Sequence, residues 1–180
     1  MSISIQPVNQ NLAQSTKFQL NFDRLPYITF FCSEVNIPGL SIGELPQPTP
    51  FIDLAVPGNK LSYETLDITF LVDEDYRSWQ SVHDWIRGLA FPVDFTEYKN
   101  LPLQLRHQQA ALLNTKEKLQ YSDGSFTIFT NKNNPHIRVR FLDCFPLTLS
   151  SIHFSTEADA DTIITAEATF KFSYFNIDRV

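Results

Sequence analysis

Apolar and polar residues alternate with a period of two from Thr65 to Val72. Leu66, Ile68, Phe70 and Val72 share one face and Thr65, Asp67 and Thr69 the other, the pattern of a half-buried strand. At Asp73 the period changes. Tyr76, Trp79, Val82, Trp85, Ile86 and Leu89 fall on one half of a helical wheel, and Arg77, Gln80, Ser81, Asp84 and Arg87 on the other. The spacing predicts an amphipathic helix over about residues 74–88. Asp73 is placed to cap it by accepting from a free N–H of the first turn. Glu74 and Asp75 sit where the helix dipole favours negative charge, and Gly88 is placed to end the helix in a left-handed conformation. Two Trp and one Tyr on one short helix predict a plug that closes a β-sheet core.

The same alternation marks strands elsewhere. Phe18, Leu20 and Phe22 alternate with Lys17, Gln19 and Asn21. After a turn at Leu25-Pro26, Tyr27–Ile37 reads as a second strand and a hairpin partner of the first. Pro38-Gly39 fits a type II turn. Leu40–Leu45 is a short strand, Pro46–Pro50 an extended connector, Phe51–Val56 another strand and Pro57-Gly58-Asn59 a turn. Beyond Phe91-Pro92, residues 96–122 read as a long insertion. Within them Gln104–Leu119 is rich in helix formers and reads equally as a short docking helix or a loop that orders on assembly. Leu105, Leu112, Leu113 and Leu119 are its candidate subunit contacts. From Ser125 strands return: Phe126 and Ile128, then Ile137, Val139 and Phe141, joined by a hairpin loop at 131–135. Pro146–Phe154 is a further strand, and an acidic tip, residues 156–161, precedes Thr162–Phe175, the longest strand. On it Phe170, Phe172 and Tyr174 join the core face. The sum is a mainly β fold, an antiparallel sandwich or half-barrel with one helix packed on it, over residues 17–180, behind a flexible arm, residues 1–16.

Composition narrows the class. The chain has 180 residues, 43% of them hydrophobic, enough for one packed core. A net charge of −6 speaks against a general nucleic-acid binder, which shows a basic face. Cys32 and Cys144 are too few for a disulfide framework and read as small buried residues in a reducing compartment. The first sixteen residues lack the pattern of a signal peptide. No apolar run approaches the length of a membrane span.

Candidate chemistry is thin. His83, His107, His136 and His153 are scattered, none with a second His or Cys at metal-ligand spacing. Glu157, Asp159 and Asp161 alternate as calcium ligands do, but the central Gly and closing Glu of a calcium loop are missing, and a solvated acidic loop is favoured. No G-x-S-x-G elbow and no glycine-rich phosphate loop occurs. Arg138 and Arg140 share a strand face that reads as solvated or as an interface before it reads as a phosphate contact. Nothing assembles a nucleophile, a base and an oxyanion site, so no enzyme and no cofactor is expected.

Three stretches carry a resemblance. Ile68–Trp79 with Asp84–Gly88 resembles the strand-to-helix segment of tail tube terminators of contractile-tailed bacteriophages, also called tail completion and sheath stabiliser proteins. Phe18–Phe22 through Val35–Leu40, and Ser151–Asp178, are the second and third matches, in the same order along the chain. The tube protein and the tube initiator share this fold and some of these patterns. The resemblance implies a fold of tail-tube type and a homo-hexameric ring on the head-proximal end of the tail tube, in the virion tail, assembled in the host cytoplasm. Its partners would be the tail tube protein, the sheath or sheath terminator, and neck proteins. Double-stranded DNA would pass through the lumen without specific binding. Six copies carry 6 × (−6) = −36 formal charges, and an acidic lumen would repel phosphate. Independently of the resemblance, long alternating strands leave edges that a closed ring of copies hides. The rivals are the tube protein or initiator itself and, from another class, a soluble β-sandwich binding module.

Overall fold

A computed structural model of the chain describes residues 14–90, 92–97, 120–156 and 162–180. The element order is β1 (Phe18–Phe22), α1 (Pro26–Phe31), β2 (Cys32–Val35), β3 (Leu40–Pro48), β4 (Asp53–Tyr63), β5 (Leu66–Leu71), α2 (Arg77–Ala90), β6 (Ser122–Phe129), β7 (Pro135–Leu149), β8 (Thr165–Lys171) and β9 (Tyr174–Arg179). The expected arm falls outside the described residues over 1–13, the insertion over 98–119 and the acidic tip over 157–161. Leu105, Leu112, Leu113 and Leu119 therefore lie outside them.

Strand β7 organises the sheets. Its first half, Ile137–Leu142, lies between β6 and β9. Its second half, Phe145–Leu149, pairs with β8, which pairs with β5, which pairs with β2. Asp143, at φ 55°, makes the corner between the halves, its N–H donating to Asp123 Oδ1 at 3.1 Å. The result is two antiparallel four-stranded layers sharing one bent strand, β1-β6-β7-β9 and β2-β5-β8-β7, folded over a common core but not closed. β3 and β4 form a separate two-stranded arm.

Helix α2 lies across the open side. Trp85 is fully buried, and its indole N–H donates to the Gln120 carbonyl at 3.2 Å. Trp79 is half-buried, stacks on His83 and donates to the Ser150 carbonyl at 3.2 Å. Leu20, Phe22, Leu66, Ile68, Phe70, Val82, Phe170 and Phe172 are buried with Trp85, and Phe18, Val72, Trp79 and Ile86 pack on them half-exposed. The core also takes Leu25, Ile28, Phe126, Val139 and Phe141.

Several expectations need correction. Residues 26–31 form a helix, with Pro26 in its first turn, where a missing N–H costs nothing. The strand that follows pairs with β5, not β1. No described glycine has positive φ, so Pro38-Gly39 is not a type II turn. Pro46–Pro48 and Pro57–Asn59 lie inside the arm's strands, and the arm turns at 49–52. Gly88 is a buried residue inside α2, which runs on to Ala90 and does not end there. Tyr76 precedes α2 at φ 57°, half-buried beside Phe154 and outside the core cluster. The stretch 146–154 is strand only to Leu149, as the end of β7. The stretch 162–175 divides at Ser173, whose N–H donates to the Leu142 carbonyl. That break moves the chain to the other layer and reverses its faces, so Phe175 packs inward and Tyr174 is 44% exposed. Tyr174 is therefore not a core residue.

Candidate assembly surfaces

The arm differs from the rest of the fold. All nine residues of β3 and all but two of the eleven in β4 are exposed. The register nonetheless sorts them by face. Near the root Leu40 opposes Tyr63 and Ile42 opposes Leu61, while Ser41 opposes Ser62 on the reverse side. Near the tip Leu45 opposes Val56, and Glu44 and Pro46 on the reverse side oppose Pro57 and Ala55. At the turn Phe51 is 98% exposed. A two-stranded hairpin is marginal in water, and an alternating apolar face specifies register only when something covers it. So many apolar side chains on one projection mark a protein–protein surface. Mid-arm the strands are bulged between Ile42 and Glu44. There a Cβ on Gly58 would lie 2.6 Å from the Gly43 carbonyl oxygen, so the two backbones pass at a distance only glycine permits.

The sheet borders are a second surface. Among the described residues β1 pairs only with β6, β9 only with β7 and β2 only with β5. Their outer edges offer N–H and C=O groups to a further strand.

The two outward sheet faces differ in charge. On β2-β5-β8-β7, Glu34, Asp67 and Glu167 are exposed among Thr69, Thr148, Thr165 and Thr169. On β1-β6-β7-β9, Gln19, Thr127, Arg138 and Asp178 form one cross-strand row, and Asn21, Ser125, Arg140 and Asn176 another. Arg140 pairs with Asp178 at 2.5 Å.

The buried ionisable groups serve packing. Arg24 lies 4.8 Å over the Trp85 ring, and burial lowers its pKa to about 10. Burial raises the Cys32 thiol to about 11 and the Cys144 thiol, near Asp123 and Asp143, to about 12. No cluster of three or more His, Cys, Asp or Glu among the described residues is arranged to hold a metal. No described helix is long and apolar enough to cross a membrane. What this geometry offers is surfaces for other chains.

The model of one family, described as phage tail tube protein, matches residues 2–178. The chain belongs to the phage tail tube protein family. Among its relatives, the tail tube terminator protein of Enterobacteria phage T4 is 22% identical over 185 residues, 99% of this chain and 96% of that protein. Two solved structures share the tail-tube fold. The tube-terminating cap of the anti-feeding prophage aligns over 100% of both chains at TM-score 0.60 and 12% identity. The sheath/tube terminator of the PVC extracellular contractile injection system aligns over 96% of this chain and 99% of its own at TM-score 0.56 and 12% identity. The resemblance to tail tube terminators read from the three stretches is borne out. The arm, which carries many of the exposed apolar side chains among the described residues, was not foreseen as one element. Its signal was the set of apolar residues Leu40, Ile42 and Leu45 before the turn at 49–52, matched after it by Tyr63, Leu61 and Val56.

Proposed function

We propose that this chain forms a closed ring of six copies that ends the head-proximal end of a contractile tail tube. There it meets the tube protein below and the sheath or its terminator and neck proteins around it, and lets double-stranded DNA pass. The observation that carries this reading is the projecting arm with its uncovered apolar face, in a chain of the tail tube family. An arm on one copy and open sheet borders on the next make a heterologous contact, and such a contact that closes makes a ring. The near full-length likeness to a tail tube terminator supports ending the tube over building it. We assign the β2-β5-β8-β7 face to the lumen, because carboxylates among threonines repel phosphate and give DNA no fixed partner. Six copies of a four-stranded layer, at about 4.8 Å per tilted strand, close a ring roughly 40–50 Å across at the backbone, room for a duplex.

Electron microscopy of the purified protein, alone and with tail tubes, tests this. Rings alone and caps on tube ends are expected. Long filaments from the protein alone would instead make it a tube subunit, the second reading, which the family's own description favours. A monomer at every concentration that ignores tube ends overturns both. A soluble binding module is disfavoured because Phe22, Phe70, Trp85, Phe141 and Phe170 are spent in the core.

A further inference from the structure

The arm is held at its root by a small set of contacts that reach across the fold. Gly39 N–H donates to Glu64 Oε2 at 3.2 Å, and Glu64 N–H donates back to the Gly39 carbonyl at 3.1 Å. Lys171, at the end of β8, donates from Nζ to the Tyr63 carbonyl at 2.6 Å. The Tyr63 ring stands edge-on to Phe172 and Phe175, 5.5 Å from each centroid. A Cβ at Gly39 would lie 2.6 Å from Glu64 Oε2, so the missing side chain is what lets the carboxylate reach the backbone. Beyond this root only Thr49 in the turn and Gly58 are less than exposed among the described residues, which leaves little packing along the arm's length to set its direction.

We propose that Glu64, seated on Gly39, and Lys171 form a clasp that aims the arm, and that they are positioning residues for docking its apolar face on a second copy of this chain. The inference rests on the ring reading above. A freely swinging hairpin loses orientational freedom when it docks, and that loss subtracts from affinity. A root fixed beforehand removes the loss without touching the partner. The occupant is a second copy because the chain carries both halves of the contact, an uncovered apolar strand pair and open sheet borders, and identical copies around a ring each supply one to the next.

The test is the concentration of full-length chain at half-assembly, read by sedimentation velocity beside thermal melting at a concentration where the chain is monomeric. Glu64→Ala and Lys171→Met should each raise that concentration about tenfold, the effect of one hydrogen bond's worth of orientation, with the monomer's melting temperature unchanged. Glu64→Gln, which keeps an acceptor for Gly39 N–H, and Lys171→Arg, which keeps a donor, should restore it. Leu45→Asp with Leu54→Asp, on the arm face, should abolish assembly. If the arm-face pair abolishes assembly while both clasp variants match the parent, the clasp is overturned and the ring reading stands. If the clasp variants lower melting in proportion to assembly, their role is merely structural and the inference also falls. If the arm-face pair assembles normally, or the parent never assembles, the ring reading itself fails.

Discussion

Asp73 Oδ1 accepts from both the backbone N–H of Ser78, at 2.8 Å, and its hydroxyl, at 2.6 Å. Its Oδ2 accepts from Arg77 N–H at 3.2 Å. One carboxylate at the end of β5 thus ties the strand to α2 across the turn at 74–76. It caps the helix from further upstream than a normal N-cap residue, because Tyr76 occupies that place and its carbonyl takes the first helical bond, from Gln80.

Replacing Asp73 should therefore cost more than an ordinary cap. Asp73→Ala leaves the N–H groups of Arg77 and Ser78 without this acceptor and the buried Ser78 hydroxyl with a weaker one. The expected loss is about 1–3 kcal/mol in urea unfolding at neutral pH. Burial pushes the carboxyl up, but the hydrogen bonds from Ser78 and Arg77 outweigh it and hold its pKa below the ordinary 3.8. A depressed carboxylate stabilises the fold above its unfolded value and stops doing so as pH falls through the native one. The gap between wild type and variant should be full at neutral pH and shrink below pH 3.8.

Gly124 sits under an aromatic ring. A Cβ there would lie 2.8 Å from Phe22 Cε1, and Phe22 is itself stacked on Phe170 at 5.1 Å. The ring is buried on every side and has no slack. Gly124→Ala should destabilise by about 1–3 kcal/mol, as overpacking does, whereas Gly43→Ala, with open space around its Cβ, should stay within about 0.5 kcal/mol in the same melts.

The elements that were legible in the sequence are those whose apolar face meets the chain's own core. β5 and α2 are the clearest cases, since Leu66, Ile68 and Phe70, then Val82 and Trp85, are buried at the period their spacing announced. Proline hid the arm. Pro46, Pro48 and Pro57 read as breaks, but in a strand pair with no third strand beside it a missing N–H loses little. The β-branched and aromatic residues of Tyr27–Phe31 read as strand, yet the segment coils so that Leu25 and Ile28, three apart, bury together next to β1. Tyr174 was misplaced because the kink at Ser173 is one residue long, enough to invert a period of two. The assembly surface was the least legible of all. Leu45 and Val56 alternate as core residues do, and a pattern within one chain does not say whether its own core or another chain covers it.

Cys32 and Cys144 should be slow to react. With thiols raised by burial to about 11 and about 12, roughly a thousandth or less of either is thiolate at pH 8, against about a tenth to a quarter in the unfolded chain. Alkylation at pH 8 should be at least tens of times slower in the native protein than in urea. The sign also fixes an alkaline limit. A thiol with a raised native value stabilises the fold fully below its unfolded value near 9 and loses that contribution as pH climbs toward about 11 and about 12. Stability should fall over that window, and less steeply in Cys144→Ala.

On the proposed ring, the face of β2-β5-β8-β7 should decide how DNA meets the assembly. Exposed Glu34, Asp67 and Glu167 set its charge, and the cation on the same strand face, Lys171, is drawn aside to the Tyr63 carbonyl. If that face lines the lumen, assembled wild-type rings should show no retention of duplex DNA at low salt. Changing Glu34, Asp67 and Glu167 to Lys together reverses three charges per copy at exposed positions, and gives up only the two long hydrogen bonds that Asp67 Oδ2 accepts from Asn36 Nδ2 and Thr65 Oγ1, each at 3.4 Å. Rings should still form, and duplex DNA should now bind, with an affinity that falls steeply as salt rises because each neutralised phosphate releases counterions. The equivalent reversal on the other layer, Arg138→Glu with Arg140→Glu, should leave DNA behaviour unchanged. If the Lys variant forms rings that still ignore DNA, while the Glu variant alters DNA passage, the lumen is the opposite face and the assignment of the acidic one is wrong.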